Sequence, residues 1–153
     1  MSISYKNKLP INRGMSMTNR FDQWKMPQID DRVLHPKYYF LVHHKDKLDL
    51  GEQTDIGAFT YINAKHGVTI EKHVQIGSHC SLYSHSTIDN KQGKIHIKEN
   101  ACIGTHSTVM PGVTIGKNTI IGAYSFVNAD IPDDVIACGV PAKIVKKRIP
   151  SIY

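Results

Sequence analysis

The sequence is dominated by a repeat of six residues that runs from Leu50 to about Pro132. Each unit begins with an aliphatic side chain, which glycine often follows, and most units carry a small or β-branched residue four positions later. The aliphatic positions are Leu50, Ile56, Ile62, Ile70, Ile76, Leu82, Ile88, Ile97, Ile103, Val109, Ile115, Ile121 and Val127. A hexapeptide period is typical of a parallel β-helix, in which every unit supplies one short strand and its aliphatic side chain stacks inside. The repeat therefore predicts an all-β solenoid.

Two breaks in the spacing predict where the chain leaves the coil. Ile62 and Ile70 are eight residues apart, so two residues are inserted near Gly67. Ile88 and Ile97 are nine apart, so three are inserted within the polar stretch 90–94, which has a loop composition. We therefore divide a single domain into a cap (1–49), a coil (50–132) and a basic C-terminal segment (133–153). The cap is expected to be irregular or partly helical and to cover the open end of the coil.

Composition narrows the class of protein. The 153 residues carry a formal net charge of +6, which favours an anionic partner. No block of five or more like charges and no RNA-binding aromatic motif occurs, so nucleic acid is not expected as a partner. No secretory signal and no apolar stretch of membrane-spanning length is visible. The three cysteines form no CxxC pair, so neither a zinc site nor a disulfide framework is predicted. We expect a cytoplasmic protein that does not bind membranes.

The repeat, the stretch 111–127, the sequence DIP at 130–132 and the tail GVPAKIV at 139–145 together resemble the hexapeptide-repeat acyltransferases. The likeness is to the branch of maltose, galactoside and other sugar acetyltransferases, and it covers about residues 50–147. The resemblance implies a left-handed parallel β-helix with three faces and eighteen residues per coil. It also implies a homotrimer with active sites between subunits, and acetyl-CoA as the donor. The acceptor would be a hydroxyl or amine of a free sugar, a nucleotide-linked sugar or a surface-polysaccharide unit.

Acyl transfer requires a base, a donor to the developing oxyanion, and two substrates held together. Histidine is the usual base because its pKa lies near neutral pH. The chain has nine histidines. Eighteen residues per coil plus the three inserted ones would place His106 on the same corner as His85, with Lys65 below and Tyr124 above. Because His85 leads directly into the inserted loop, we predict that it is the general base.

Acetyl-CoA, the acyl donor, is predicted to lie along a column of small residues and to extend towards the basic tail. A backbone N–H near Gly104 or Thr105 would donate a hydrogen bond to the developing oxyanion. The predicted residues are Gly104, Thr105, Gly122, Ala123, Lys143, Lys146 and Lys147. Asn63, Tyr83, Asp89 and His106 are predicted to contact the acceptor. The group that orients His85 stays open between Asp89, a backbone carbonyl, and Asp22 or Asp30 of the cap. No metal ligands are predicted.

Two other functions fit the same coil. A γ-class carbonic anhydrase-like enzyme needs three histidines around one metal. His66, His85 and His106 come closest to such a set, but His66 occupies an inward-type position. A non-catalytic β-helix that serves in assembly is the second alternative. The loop after His85 and the GVPAKIV tail argue against it.

Overall fold

A computed structural model describes residues 21–149, so residues 1–20 of the predicted cap and residues 150–153 of the C-terminal segment lie outside the described residues. Fifteen short strands wind into a solenoid whose three faces are three sheets. The first sheet contains β1 (Leu41–His43), β4 (Tyr61–Asn63), β7 (Ser81–Tyr83), β10 (Thr108–Val109) and β13 (Phe126–Val127). The second contains β2 (Leu48–Leu50), β5 (Val68–Ile70), β8 (Ile95–Ile97) and β11 (Thr114–Ile115). The third contains β3 (Asp55–Ile56), β6 (Gln75–Ile76), β9 (Cys102–Ile103), β12 (Ile120–Ile121), β14 (Val135–Gly139) and β15 (Ala142–Lys147).

All strand pairs are parallel except the antiparallel pair of β14 and β15 at the C-terminal end. The predicted fold class, a three-faced left-handed parallel β-helix, is confirmed. Within residues 21–149 the only helical element is one short 3-10 turn at Lys45–Lys47. That described range contains no helix long and apolar enough to cross a membrane.

With the exception of Ile88, the repeat positions form the core or pack against it, as predicted. In the first sheet, the central residues of successive strands pair in register and lose all contact with water; they are Val42, Ile62, Leu82, Val109 and Val127. The residues on either side of them point outward and are partly exposed. Since strand side chains alternate between the two faces, each aliphatic position packs inside while its neighbours form the outer surface.

We name the three corners by what they carry. The polar corner joins the second sheet to the third, at 51–54, 71–74, 98–101, 116–119 and 132–134. The glycine corner joins the third sheet to the first, at 57–60, 77–80, 104–107 and 122–125. The loop corner joins the first sheet to the second, at 64–67, 84–94, 110–113 and 128–131. At the polar and glycine corners each bend holds a non-glycine residue with φ of 53–61°; these are Gln53, Phe59, His73, His79, Asn100, His106, Asn118, Tyr124 and Asp134.

The insertion after β7 is longer than the sequence predicts. Leu82 pairs with Val109, twenty-seven residues later, whereas Val109 pairs with Val127 after only eighteen. Ile88 is therefore not a coil position, and its side chain is 99% exposed. The predicted insertion of only three residues is wrong, because an aliphatic residue at six-residue spacing occurs by coincidence inside the loop.

This insertion is a small hairpin whose two ends are hydrogen-bonded to each other at the point where the chain leaves the coil. His85 and Gln92 form an antiparallel bridge, and the Ser86 amide donates to the Lys91 carbonyl at 2.8 Å. The Gly93 amide then donates to the Ser84 carbonyl at 3.0 Å. We call residues 84–93 the hairpin.

The cap is irregular from residue 21 to residue 40, but the parallel ladder begins within the segment 1–49 because β1 pairs with β4. The Trp24 indole donates to the Thr54 carbonyl at 2.7 Å, and Phe40 is 2% exposed over the first coil. These contacts close the N-terminal end of the core in the described part of the cap.

Candidate active site

A cleft of about 510 Å³ opens on the outer face of the first sheet, under the hairpin. Its floor consists of the outward residues of the strands, and its wall is the hairpin itself. The lining residues are Tyr61, Asn63, Tyr83, His85, Ser86, Thr87, Ile88, Met110 and Phe126. Three residues that the sequence singles out, Asn63, Tyr83 and His85, thus come together in one cleft.

The cleft combines aromatic surface with polar groups. The rings of Tyr61 and Tyr83 lie 5.6 Å apart between centroids, and Asn63 pairs in register with Tyr83. Burial, and then the proximity of Tyr83, raise the pKa of Tyr61, so its phenol stays protonated at neutral pH. The hydroxyl of Tyr61 lies 3.1 Å from Nδ1 of His43.

His85 stands at the base of the hairpin, where its backbone is fixed by the bridge to Gln92. Among residues 21–149, no carboxylate is hydrogen-bonded to its imidazole. Its ring contacts the ring of His66, with the centroids 5.2 Å apart and the planes at 53°.

Asp89 does not face His85. The Lys91 ammonium lies 3.1 Å from the Asp89 carboxylate. Hydrogen bonds from the Ser86 hydroxyl and from Lys91 lower the pKa of Asp89 to about 2. The Asp89 carboxylate is therefore bonded within the hairpin, and Asp89 is not among the residues that line the cleft. That it contacts the acceptor stays a prediction. The short loop turns the carboxylate back onto its own backbone.

The predicted alignment of His106 with His85 is wrong because the hairpin adds nine residues rather than three. His106 instead lies on the glycine corner in a column of stacked rings. Its ring is 4.7 Å from His79 and 4.8 Å from Tyr124, nearly parallel to both, and Phe59 continues the column below His79 at 5.1 Å. His106 is thus away from the cleft, and Tyr124 does not lie above His85. Lys65 does lie one coil below His85, because the offset of twenty residues between β4 and β7 carries Lys65 to His85 on the loop corner.

The same corner carries the predicted small residues. A Cβ built on Gly104 would lie 2.4 Å from the backbone nitrogen of Ala123, and one on Gly122 would lie 2.7 Å from Cβ of Cys138. Glycine is therefore required here by the close stacking of coils. Beside the corner, a shallow groove of about 320 Å³ follows the outer face of the third sheet and includes Gly77 and Gly104.

Of the two predicted oxyanion donors, Gly104 is already used, since its N–H donates to the Ile121 carbonyl at 2.8 Å. The Thr105 N–H is left as the predicted donor. The Thr105 hydroxyl donates to the Ser78 carbonyl at 2.7 Å and lies 2.9 Å from Nδ1 of His106.

The antiparallel pair of β14 and β15 places the lysines of the basic tail at different points along the two strands. Lys143 pairs with Cys138, which sits directly over Gly122 at the end of the glycine corner. Lys147 pairs with Val135 at the other end of the same strands. Lys146 pairs with Ile136, which continues the row of groove residues Cys102 and Ile120, so Lys143 and Lys146 both lie at this end of the groove.

His85 and the glycine corner lie at opposite ends of the first-sheet strands, and the cleft spans the strands between them. His79 and His85 are six residues apart along extended chain, which spans roughly 20 Å. One protomer thus carries both sets of predicted residues, but it does not bring them together.

Comparison with known proteins supports the repeat assignment. The model of the bacterial transferase hexapeptide (six repeats) matches residues 94–129. Residues 94–129 thus carry the hexapeptide repeat of this family. The predicted resemblance to the hexapeptide-repeat acyltransferases is confirmed by this match and by relatives among named acetyltransferases.

The chain is 50% identical over 54 residues to a galactoside O-acetyltransferase of Lactococcus lactis, which is 35% of the chain and 26% of the relative. It is 49% identical over 53 residues to the galactoside O-acetyltransferase of Escherichia coli, with 35% and 26% covered. The chain thus matches about a quarter of the length of these curated relatives.

Solved structures extend the likeness over most of the fold. A hexapeptide-repeat acetyltransferase of Vibrio cholerae in complex with acetyl coenzyme A superposes with a TM-score of 0.67 and 28% identity, over 72% of this chain and 65% of that one. A maltose O-acetyltransferase of Clostridium difficile has the same TM-score at 24% identity, over 72% and 64%, and shares the fold.

Several cleft residues escape sequence reasoning. Tyr61, Met110 and Phe126 are outward neighbours of core positions in the first sheet, so they share a face with Asn63 and Tyr83 once the strand register is known. The alternation of inward and outward residues along each strand indicates that these side chains point outward. Which of them face the same cleft can be predicted only when the number of residues inserted at the hairpin is known. The neighbour of His85, His66, gave no signal of its own beyond the predicted insertion near Gly67.

The set of three histidines considered for a metal does not form. His66 and His85 are in contact, but His106 belongs to another corner. In the described part of the chain, no group of three His, Cys, Asp or Glu side chains is arranged to hold a metal ion.

Proposed function

We propose that this protein transfers an acyl group, acetyl in the first instance, from coenzyme A to a hydroxyl or amine of a sugar. The observation that carries the proposal is a histidine set at the wall of a cleft lined by tyrosines and an amide, on a coil whose relatives are named acetyltransferases. A similar structure is a complex with acetyl coenzyme A, which supports the choice of donor.

His85 acts as the general base in this proposal. Its imidazole takes the proton of the acceptor hydroxyl or amine as the acceptor oxygen or nitrogen attacks the thioester carbonyl. The proton then passes to the departing thiolate of coenzyme A. Positioned general bases contribute about a hundredfold or more to rate.

The cleft suits a sugar because it offers ring faces and hydrogen-bonding groups together. Tyr61 and Tyr83 supply apolar surface, and the Asn63 amide can both donate to and accept from hydroxyls. The exposed Ile88 and Met110 complete the wall and floor. Free, nucleotide-linked and polysaccharide-bound sugars all fit this description.

The donor is held along the glycine corner. The groove beside Gly77 and Gly104 accommodates an extended chain, and Lys143 at its head is placed for an anionic group. The Thr105 N–H stabilises the oxyanion. Coenzyme A supplies the activated thioester, and the protein holds it and excludes water.

Because His85 and the glycine corner are far apart in one protomer, we propose that a homotrimer completes each site from two subunits. The exposed column of Phe59, His79, His106 and Tyr124 would then lie near the contact between subunits. Closed cyclic assemblies are the usual form of homo-oligomers.

The first experiment measures thiol release from acetyl-CoA with a panel of sugars and nucleotide sugars. His85→Ala should lower kcat at least about a hundredfold. His73→Ala is the matched control, since His73 is hydrogen-bonded to Gln53 on the polar corner and should retain full rate. Normal turnover by an intact His85→Ala protein would refute the assignment.

The second experiment tests whether sites are shared. His85→Ala and Ala123→Trp, the latter filling the exposed end of the glycine corner, should each be inactive alone. Random mixing of unfolded subunits followed by refolding should restore about a quarter of the sites if each one takes its histidine and its groove from different subunits. If no activity returns although mixed trimers form, each site belongs to one protomer.

A further inference from the structure

His66 is the titratable side chain in contact with His85 that the proposed reaction does not use. The His66 ring is 5.2 Å from that of His85. Its Nε2 is buried and has no hydrogen-bond partner among the described residues. A polar atom in that condition is costly, so it calls for an explanation.

The backbone around the two histidines is tied into one unit. The His66 amide donates to the Ser84 hydroxyl at 2.9 Å, and that hydroxyl donates to the Asn63 carbonyl at 2.7 Å. Ser84 is completely buried. The bend that carries His66 and the first residue of the hairpin therefore cannot move independently.

A second set of bonds closes the unit from the other side. The Gly93 amide donates to the Ser84 carbonyl, and the Ile95 amide donates to the Gly67 carbonyl at 3.1 Å. The side chain of Lys94 packs over Gly67. The position of the His66 ring against His85 is thus defined by hydrogen bonds on both strands leading into the loop corner.

We infer that His66 is the positioning residue of His85, and that it acts as a neutral imidazole. This inference rests on the proposed function. It also gives His85 an orienting group other than Asp89, which is bound to Ser86 and Lys91.

The neutral state follows from the surroundings. A protonated imidazole carries an N–H on both nitrogens, so protonation of His66 would place a donor at the buried Nε2, where no acceptor is available. Burial lowers the pKa of His66, and the nearby charges of His85, Lys65, Lys47 and His44 lower it further. All four of those groups are basic.

A neutral neighbour has a chemical consequence for the base. Two positive charges about 5 Å apart repel strongly in a partly buried site. If His66 stays neutral, the proton that His85 takes from the acceptor is the only charge of the pair. His66 can then support the ring without opposing its protonation.

The test compares three variants with a matched control. His66→Phe keeps a flat ring without nitrogen and should retain kcat within about threefold, whereas His66→Ala removes the support and should lower kcat by about tenfold to a hundredfold with little change in acceptor KM. His66→Lys adds a fixed charge and should shift the acid limb of kcat/KM down by about half a pH unit to two units. His73→Phe receives the same substitution on the polar corner and should behave as wild type.

The pH profile separates positioning from mere packing. The acid limb of kcat/KM reports the free-enzyme ionisation of the base. With His66 neutral, the limb of His66→Phe should coincide with that of wild type. An upward shift of about one pH unit would show that His66 carries a charge, and would overturn the neutral state.

NMR titration of the histidine rings decides the inference without activity. The His66 resonance should titrate below the ordinary value of about 6.5, and the His85 ring should become more mobile in His66→Ala. A His66 ring that titrates at or above that value, or unchanged His85 relaxation together with normal kcat in His66→Ala, would refute the inference. If wild type releases no thiol with any acceptor, the proposed function fails, while the titration and relaxation still decide the relation between the two rings.

Discussion

The stacking of the coils at the glycine corner predicts a large cost for a single added methyl group. Gly104 does not have a left-handed φ, so alanine is conformationally allowed there. The methyl carbon would nevertheless lie 2.4 Å from the Ala123 nitrogen and 2.7 Å from its Cα. Those atoms are backbone and cannot rotate away.

The magnitude follows from the ladder around this position. Relieving the overlap requires a shift of about 1 Å, roughly a fifth of the separation between adjacent strands. Such a shift stretches the bonds from Gly104 N to Ile121 O and from Tyr124 N to Thr105 O, which are 2.8 and 2.9 Å long. Each lost bond costs about 1 kcal/mol, and overpacking costs about 1–3 kcal/mol, so Gly104→Ala should destabilise by about 2–5 kcal/mol.

Gly112 is the matched control. No atom lies within 4 Å of a Cβ built there, but its φ is +81°. Gly112→Ala therefore suffers only backbone strain of about 1–2 kcal/mol. The comparison separates lack of space from conformational strain.

The free energy of unfolding would be measured by urea denaturation followed by far-UV circular dichroism. Protein concentration must be the same for all variants, because association contributes to apparent stability. Equal losses for the two variants, or a smaller loss for Gly104→Ala, would refute the claim that coil stacking demands glycine at 104.

Three further predictions follow from other parts of the structure. Leu82→Ala, at a fully buried position of the first sheet, should cost about 2–5 kcal/mol in denaturant unfolding, and a loss below 1 kcal/mol would contradict the packing. Burial alone would raise the pKa of Glu71, but a backbone amide and the His96 ring 2.7 Å away outweigh it and lower the pKa. The stabilisation is therefore complete above the unfolded pKa of about 4.5 and is lost as pH falls through the lowered folded value. Glu71→Gln should accordingly lose less stability than wild type on acidification, and equal pH dependence would count against this contact. Lys143→Ala should weaken coenzyme A binding in calorimetry while Lys147→Ala should not, and the opposite order would reject the placement of the donor's anionic end.

Much of the fold is predictable because inward positions in a solenoid have little choice. A strand with one buried face requires an aliphatic residue at fixed spacing, so the pair Ile62 and Leu82 and the pair Val109 and Val127 can each be identified as successive coil positions from the sequence alone. The joint presence of Asn63, Tyr83 and His85 in one cleft follows from the same spacing.

The hairpin could not be predicted with the same accuracy. Loop residues follow no fixed period. Ile88 has the spacing of a core position by coincidence, although its side chain is exposed. Because the predicted insertion was six residues too short, every later residue was assigned to the wrong corner of the coil. His106 was therefore predicted to lie beside His85. The contact of His85 with His66 depends on the path of two loops, which hydrogen bonds rather than hydrophobic spacing determine.

The hairpin leaves and rejoins the coil at the bond between Gly93 and Ser84, and the rungs on either side pair as if nothing intervened. The pairing of the coils therefore does not depend on the length or sequence of the hairpin. A loop of different length and sequence could be grafted between His85 and Gln92, which bridge at the base of the hairpin, while the core residues and His85 are kept. Specificity for the proposed acceptor can thus change while the residues that stabilise the fold stay the same.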